Sequence, residues 1–456
     1  MRKSWVGWLL ATCLWPGSAG AEDRLVIDTA MEVLDNGLTV IVEEDQRTDT
    51  VVLHLAYGVG SRDEVDGEHG CAHLFEHLMF EGSENVPTNA FDDWLTAAGG
   101  DNNAYTSADE TAYHMAFPSG ALDLALFLES DRMAFLEAGL DEKNLANQRL
   151  VVLQERNQGY AEPHGTDWDA LTRLLYPVQH PYMVPVIGTV ADVEGFQIDA
   201  VRDFWRRHYR PRNAVLVLVG NLETDVALER VRHWFSDVPD AGPPMDRPVV
   251  PPGLPVLARN GVIEDRVEDR TLYAAWRTVP STHADAPALD LLAWALSGGR
   301  GTRLDDKLYY RSRLTNEVGA DHYGQDIDGE FVLWASSERV PLKKLLKVSQ
   351  KVIDDVQKNP ITEAELDRAR RMLEAMVLDS LEPLRSRARM IANCHTSWGW
   401  QDDCLETDWF RYQLVTVDDL ARVADEYLVA ERRVTLSVVP EGDDGAIDGA
   451  AIVEVP

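Results

Sequence analysis

Seven prolines and two glycines crowd residues 239–255 (Pro239, Pro243, Pro244, Pro248, Pro251, Pro252, Pro255; Gly242, Gly253). Proline lacks an amide hydrogen and fixes φ, so neither a helix nor a sheet ladder runs through such a stretch. The 456-residue chain is thereby cut into two halves of domain size. The halves end alike. Residues 204–209 close a helical pattern on aromatics and, after a polar break, feed the β-branched run 214–219; residues 424–427 do the same before 434–439. A period of about 220 residues is too long for a solenoid and fits a duplicated domain. Within the halves, runs 38–42 and 51–56 read as hairpin strands around a polar turn. Helical spacing marks 123–136, 145–159, 342–356 and 363–378. The interspersion predicts an α+β fold of two homologous domains, 22–238 and 256–440. Each is a mainly antiparallel sheet with helices over one face; the linker is 239–255 and a tail covers 441–456.

Residues 1–21 stand apart from this pattern. Arg2 and Lys3 precede a mostly apolar run from Trp5 to Trp15, and Ala19-Gly20-Ala21 supplies small residues for cleavage before Glu22. That is the make-up of a secretory signal peptide, so a periplasmic or secreted protein is expected. The apolar run is shorter than the roughly 20 residues a membrane span needs, and no later stretch supplies one. Removing the leader leaves 41 basic residues against 77 acidic ones, a net charge of −36. Such an excess argues against nucleic acid or an anionic membrane as partner and favours basic peptides or a basic protein surface. Cys394 and Cys404, ten apart, can pair in an oxidising compartment or remain buried thiols; Cys71 is left over.

The segment His73-Leu74-Phe75-Glu76-His77 carries the chemistry. Positions i and i+4 of a helix lie on one face, so His73 and His77 can share a metal ion, and Glu76 reaches a metal-held water without being a ligand. A surface helix with two solvated histidines is the alternative. Leu74, Phe75, Leu78, Met79 and Phe80 oppose it, because a helix this apolar is largely buried and its His and Glu then need partners. A catalytic zinc site needs a third protein ligand and an open position. On the helical stretch 145–159 the best-placed candidate is Glu155, which the residues alone leave as one carboxylate among many.

With Met79-Phe80-Glu81-Gly82 after it, this motif resembles the pitrilysin/insulinase family of inverted-zincin (HxxEH) metallopeptidases, closest to the branch of the mitochondrial processing peptidase β-subunit and its bacterial relatives. Four further stretches agree: 99–106 with Thr111 and Tyr113, 151–155, His180-Pro181-Tyr182, and 298–304. The resemblance spans about Leu34 to Val439. It implies two bowl-shaped domains forming half of a clamshell, and one Zn2+ per chain held by His73, His77 and Glu155. It further implies Glu76 as general base for peptide hydrolysis, and Asn103 and Ala104 beside an extended substrate. A turn residue bonding local backbone is an equal reading of Asn103.

Two departures from the family pattern stand out. Seven residues before Glu155 the family carries a second glutamate, where this chain has Gln148, a neutral amide beside the ligand set. Single-chain relatives also supply an Arg and a Tyr, seven apart, from the C-terminal half; here the corresponding residues are Tyr309 and Asn316, unless a shifted alignment assigns the role to Arg311 or Arg313 with Tyr323. The expectation is therefore a zinc metalloendopeptidase subunit that acts on peptides with a homologous partner carrying the Arg/Tyr pair, or with a second copy of itself. A non-catalytic scaffold or peptide-binding subunit of the same family is the alternative.

Overall fold

The computed structural model describes residues 27–240, 258–398 and 404–455. The expected leader and nearly all of the proline-rich linker lie outside the described residues. The first sheet contains β1 (Ala30–Val33), β2 (Thr39–Glu44), β3 (Thr50–Tyr57), β4 (Asp101–Thr106), β5 (Thr111–Pro118) and β6 (Ala214–Gly220), in the order β1-β2-β6-β3-β5-β4. The second contains β7 (Arg259–Asp265), β8 (Arg270–Arg277), β9 (Glu317–Gly324), β10 (Gly329–Ser337), β11 (Val434–Pro440) and β12 (Ala451–Ile452), in the order β12-β7-β11-β8-β10-β9. Dropping β1 and β12 leaves one topology used twice. Both sheets are mainly antiparallel, with helices covering them, as the α+β reading expects.

The hairpin expected from 38–42 and 51–56 does not form. The two strands flank β6, which runs parallel to β2 and antiparallel to β3. All seven residues of β6 are buried, and a strand with no solvated edge needs a neighbour on each side for its backbone groups. β11 occupies the same central place in the second sheet, parallel to β7 and antiparallel to β8.

One face of each sheet carries the large core expected of it. The first packs Leu53, Leu55, Tyr113 and Phe117 under Phe75, Leu126 and Phe204; the second packs Leu272, Trp276, Phe331 and Leu333 under Leu289, Leu292 and Leu345. The opposite faces are covered too, each by a helix from the other half. Helix Asp167–Leu175 lays Ala170, Leu171 and Leu175 on Ile263, Ala275, Val434 and Leu436. Helix Leu384–Trp398 lays Ala388, Ile391 and Ala392 on Val52, Ala56, Val215 and Val217. This exchange locks the halves together. Cys394 of that second helix is disulfide-bonded to Cys404, with 5.8 Å between Cα atoms, while Cys71 is a buried free thiol.

Candidate metal centre

The motif residues lie on helix Cys71–Leu78, which turns Ala72, Leu74, Phe75 and Leu78 into the first core. The remaining register leaves His73, Glu76 and His77 together on the half-buried side. Two devices fix where this helix begins. Buried Glu64 accepts the N–H groups of Gly70 and Ala72, each at 2.8 Å, which helix geometry leaves unpaired. Gly70 itself has φ of 97°, and a Cβ there would sit 2.8 Å from the Ile187 carbonyl oxygen, so only glycine fits. Further along, the Tyr113 hydroxyl donates to the Phe75 carbonyl at 3.0 Å, pinning the helix to β5.

Helix Glu142–Ala161 faces the motif helix. It starts at Asp141, whose side chain accepts the Asn144 N–H, and it carries Glu155. Oε2 of Glu155 lies 3.3 Å from Nε2 of His77 and 3.8 Å from Nε2 of His73, and the three ligand-capable atoms all fall within 4.8 Å of one another. Metal–ligand bonds of about 2.0–2.2 Å in a tetrahedral array put neighbouring ligand atoms roughly 3.3–3.6 Å apart, so the spacing suits one zinc ion. The imidazole rings stand nearly perpendicular, with centroids 5.1 Å apart. Burial, with His77 adding to it, holds His73 down to about 4, which keeps its ring neutral near pH 7 and a nitrogen lone pair available. Two imidazoles and a carboxylate are the donor set of a catalytic rather than a structural zinc site.

Glu76 is not in this donor set. Its Oε2 accepts a 2.7 Å hydrogen bond from the Thr106 hydroxyl at the end of β4. Burial pushes the Glu76 carboxyl upward, opposed by the Thr106 bond and by His77. Gln148, two turns before Glu155, donates its amide to Glu81 just beyond the motif helix. Asn103 and Ala104 sit on β4, the edge strand of its sheet, opposite His114 and Tyr113 of β5. The Asn103 side chain accepts the Ala104 N–H at 2.9 Å, a local bond of the kind its turn-residue reading describes. Thr106, Glu64 and Glu81 received no role from the sequence. For Glu81 the available signal was its i+4 spacing from His77, and for Thr106 its place at the end of the family-like stretch 99–106; Glu64 gave none.

The C-terminal candidates lie among partners of their own half or on its covering helix. Tyr309 belongs to the π-helical segment Asp305–Arg311, Asn316 donates to Asp269 at 2.6 Å, and Arg311 pairs with Asp306 at 2.8 Å. Arg313 adopts a left-handed φ of 50°, and Tyr323 packs edge-on against Trp168. A second cluster, His164, Asp167 and Asp265, is close-knit in another way: Nδ1 of His164 meets Asp167 at 2.8 Å and its N–H donates to Asp265 at 2.7 Å. Those groups bond one another instead of opening onto a common centre.

Comparison with known proteins adds a second line of observation. A family model described as Insulinase (Peptidase family M16) matches residues 39–179, and one described as Peptidase M16 inactive domain matches 195–373. The zinc protease PqqE of Helicobacter pylori is 28% identical over 420 residues, 89% of this chain and 92% of that protein. An uncharacterised zinc protease of Streptomyces coelicolor is 26% identical over 413 residues, 89% of this chain and 88% of that one. Among solved structures, a protease from Helicobacter pylori superposes with a TM-score of 0.82 at 26% identity, over 91% of this chain and 99% of its own. The first half of the periplasmic protease PqqL of Escherichia coli shares the fold at 20% identity, with a TM-score of 0.75 over 94% of this chain and 95% of that half.

Proposed function

This chain belongs to the insulinase/pitrilysin (M16) peptidase family, and on that footing we propose that it is a zinc metalloendopeptidase subunit that cuts peptides or unfolded segments. The observation that carries the reading is the convergence of His73, His77 and Glu155, from two helices, on one point beside Glu76. In this reading those three residues hold one zinc ion per chain. Zinc in such a site polarises a carbonyl and lowers the pKa of water toward about 7. Glu76 takes up a proton at its carboxylate and returns it to the leaving amine, oriented meanwhile by Thr106. An extended peptide lies along the open edge of β4 beside Asn103 and Ala104, its backbone bonding to the strand.

The chain acts with a partner. Tyr309 and Asn316 stand where single-chain relatives carry an Arg/Tyr pair, and the fold corresponds to one half of a longer protease chain. A homologous subunit supplies the missing pair in a heterodimer; a second copy of this chain is the other arrangement. Residues 1–21 direct export, leaving domains 22–238 and 256–440 in the periplasm or outside the cell. Among the described residues no helix is long and apolar enough to cross a membrane. One observation favours a non-catalytic scaffold of the same family: Gln148 replaces the family's glutamate and engages Glu81.

The deciding experiment measures bound zinc and cleavage of a quenched peptide with the partner present. A protein that holds no metal, or a Glu76→Gln variant as active as the wild type, ends the peptidase reading. Stoichiometric zinc without any cleavage selects the scaffold.

A further inference from the structure

Strand β4 has one neighbour, β5, and its other side is the edge that the proposed function gives to a peptide. Its side chains alternate between two faces. On one face Ala104 packs against the first core and Thr106 holds Glu76. On the other, Asp101 and Tyr105 meet helix Leu384–Trp398, which comes from the C-terminal half. Arg385 of that helix donates to the Asp101 carboxylate at 2.5 Å and, through its other terminal nitrogen, to Nδ1 of His114 at 2.6 Å. The guanidinium of Arg389, one turn on, lies over the Tyr105 ring, 4.4 Å from its centre. Tyr105 in turn donates its hydroxyl to buried Glu110 at 2.6 Å. Burial, with the Arg385 charge adding to it, holds His114 down to about 4, so its ring is neutral near pH 7 and offers the arginine a lone pair. His54 of β3, 1% exposed, lies parallel to His114 with 6.0 Å between ring centres.

The duplicated fold shows that covering a sheet does not require this polar layer. The β4–β5 turn closes on the pair Thr106–Thr111 and the β9–β10 turn on Gly324–Gly329. Counted back from those turns, Tyr323 of β9 matches Tyr105, but Gly319 stands in place of Asp101 and Val332 of β10 in place of His114. One strand further in, Ala275 of β8 takes the place of His54. The helix that covers the second sheet, Asp167–Leu175, meets Tyr323 with the ring of Trp168 where the first sheet has a guanidinium. Glycine, valine and alanine side chains give an arginine nothing to bond. One half therefore packs apolar groups at these places, and the half that carries the HxxEH helix ties its edge strand to the other half by charge. Apolar packing of similar volume stabilises a fold as well as buried polar contacts do, so stability does not account for the difference.

We infer that Arg385 and Arg389 are positioning residues for peptide capture, holding β4 extended so that a strand of the N-terminal half receives a peptide in a geometry set by the C-terminal half. An edge strand with one neighbour frays readily, and a peptide that must order its template binds more weakly than one that meets it ordered. Both arginines act through β4 and not on the reacting groups. The inference rests on β4 as the peptide's docking edge; it does not rest on hydrolysis.

Both readouts of the test work without turnover. Hydrogen exchange of segment 101–106 is followed in the full chain, wild type against Arg385→Met, which keeps the aliphatic stem and removes the donors. Exchange there is expected to quicken at least about fivefold, with β3 and β6 unchanged. Binding is measured by anisotropy in the Glu76→Gln chain, with a fluorescein-labelled proline-free decapeptide and with the same peptide N-methylated throughout, which has no backbone donor for a strand edge. The plain peptide binds about five- to tenfold more weakly once Arg385→Met or Arg389→Met is added, and Arg385→Lys recovers part of the loss. The methylated peptide is weak throughout and indifferent to residue 385. Unchanged exchange of 101–106 in Arg385→Met overturns the inference. So does equal quickening in β3 and β6, which makes the arginine a general stabiliser, or a loosened β4 that binds the plain peptide as tightly as before. A plain peptide that binds no better than the methylated one overturns it too. Binding that weakens in Arg385→Met, in a wild-type chain that hydrolyses nothing, sustains the positioning role and removes the peptidase.

Discussion

The Thr106 hydroxyl donates a 2.7 Å hydrogen bond to Oε2 of Glu76, joining the last residue of edge strand β4 to the motif helix. In the proposed function this bond would register a peptide on β4 against the Glu76 carboxylate. Thr106→Val keeps the shape and removes the donor. Peptidase kcat is expected to fall about tenfold, with zinc content unchanged and most of the activity regained in Thr106→Ser. Unchanged kcat in the valine variant would show that the bond does not orient Glu76.

Glu330 gives a pH signature. Burial, helped by the charge of Asp328, lifts its carboxyl from the ordinary 4.5 to about 7. A raised folded-state pKa means the group's stabilising contribution is full below about 4.5 and lost as pH rises through about 7. Glu330→Gln should therefore be more stable than wild type at pH 8, by about 2–3 kcal/mol, and nearly indistinguishable from it at pH 4.5. Urea unfolding at the two pH values checks this; equal differences at both would contradict it.

The exchange of helices between halves predicts coupled unfolding. Ile391 is buried against Val52, Val215 and Val217 of the opposite half's sheet. Ile391→Ala leaves a cavity there and should cost about 2–4 kcal/mol. Loss of structure in the N-terminal half, read by hydrogen exchange of β3 and β6, should accompany it even though the substitution lies in the C-terminal half. Destabilisation confined to helix Leu384–Trp398 would refute the coupling.

The site was legible to the extent that its signals were local. His73, Glu76 and His77 lie within five residues, and the apolar positions around them dictate the helix face, so their meeting follows from periodicity. Glu155 carries no such mark. It is a half-exposed carboxylate on a polar helix, singled out by family spacing and brought to the histidines by tertiary packing. The same limit hid the sheet order, because β6 inserts between β2 and β3 from some 170 residues downstream and no local pattern announces it. Helix Asp167–Leu175 shows in sequence that it has a buried face but not that the face belongs to the other half's sheet. Likewise, a spacing of ten residues left Cys394 and Cys404 undecided, since pairing depends on how their two helices fold back on each other.

The proposed peptidase chemistry requires His73, His77 and Glu155 to share one zinc ion. Zinc per chain, measured by elemental analysis after exhaustive dialysis of the wild type and of His77→Ala and Glu155→Ala, tests it most directly. About one zinc per wild-type chain is expected, none in His77→Ala and at least tenfold weaker retention in Glu155→Ala, with circular dichroism unchanged. Zinc bound equally by all three proteins, or by none, would contradict it.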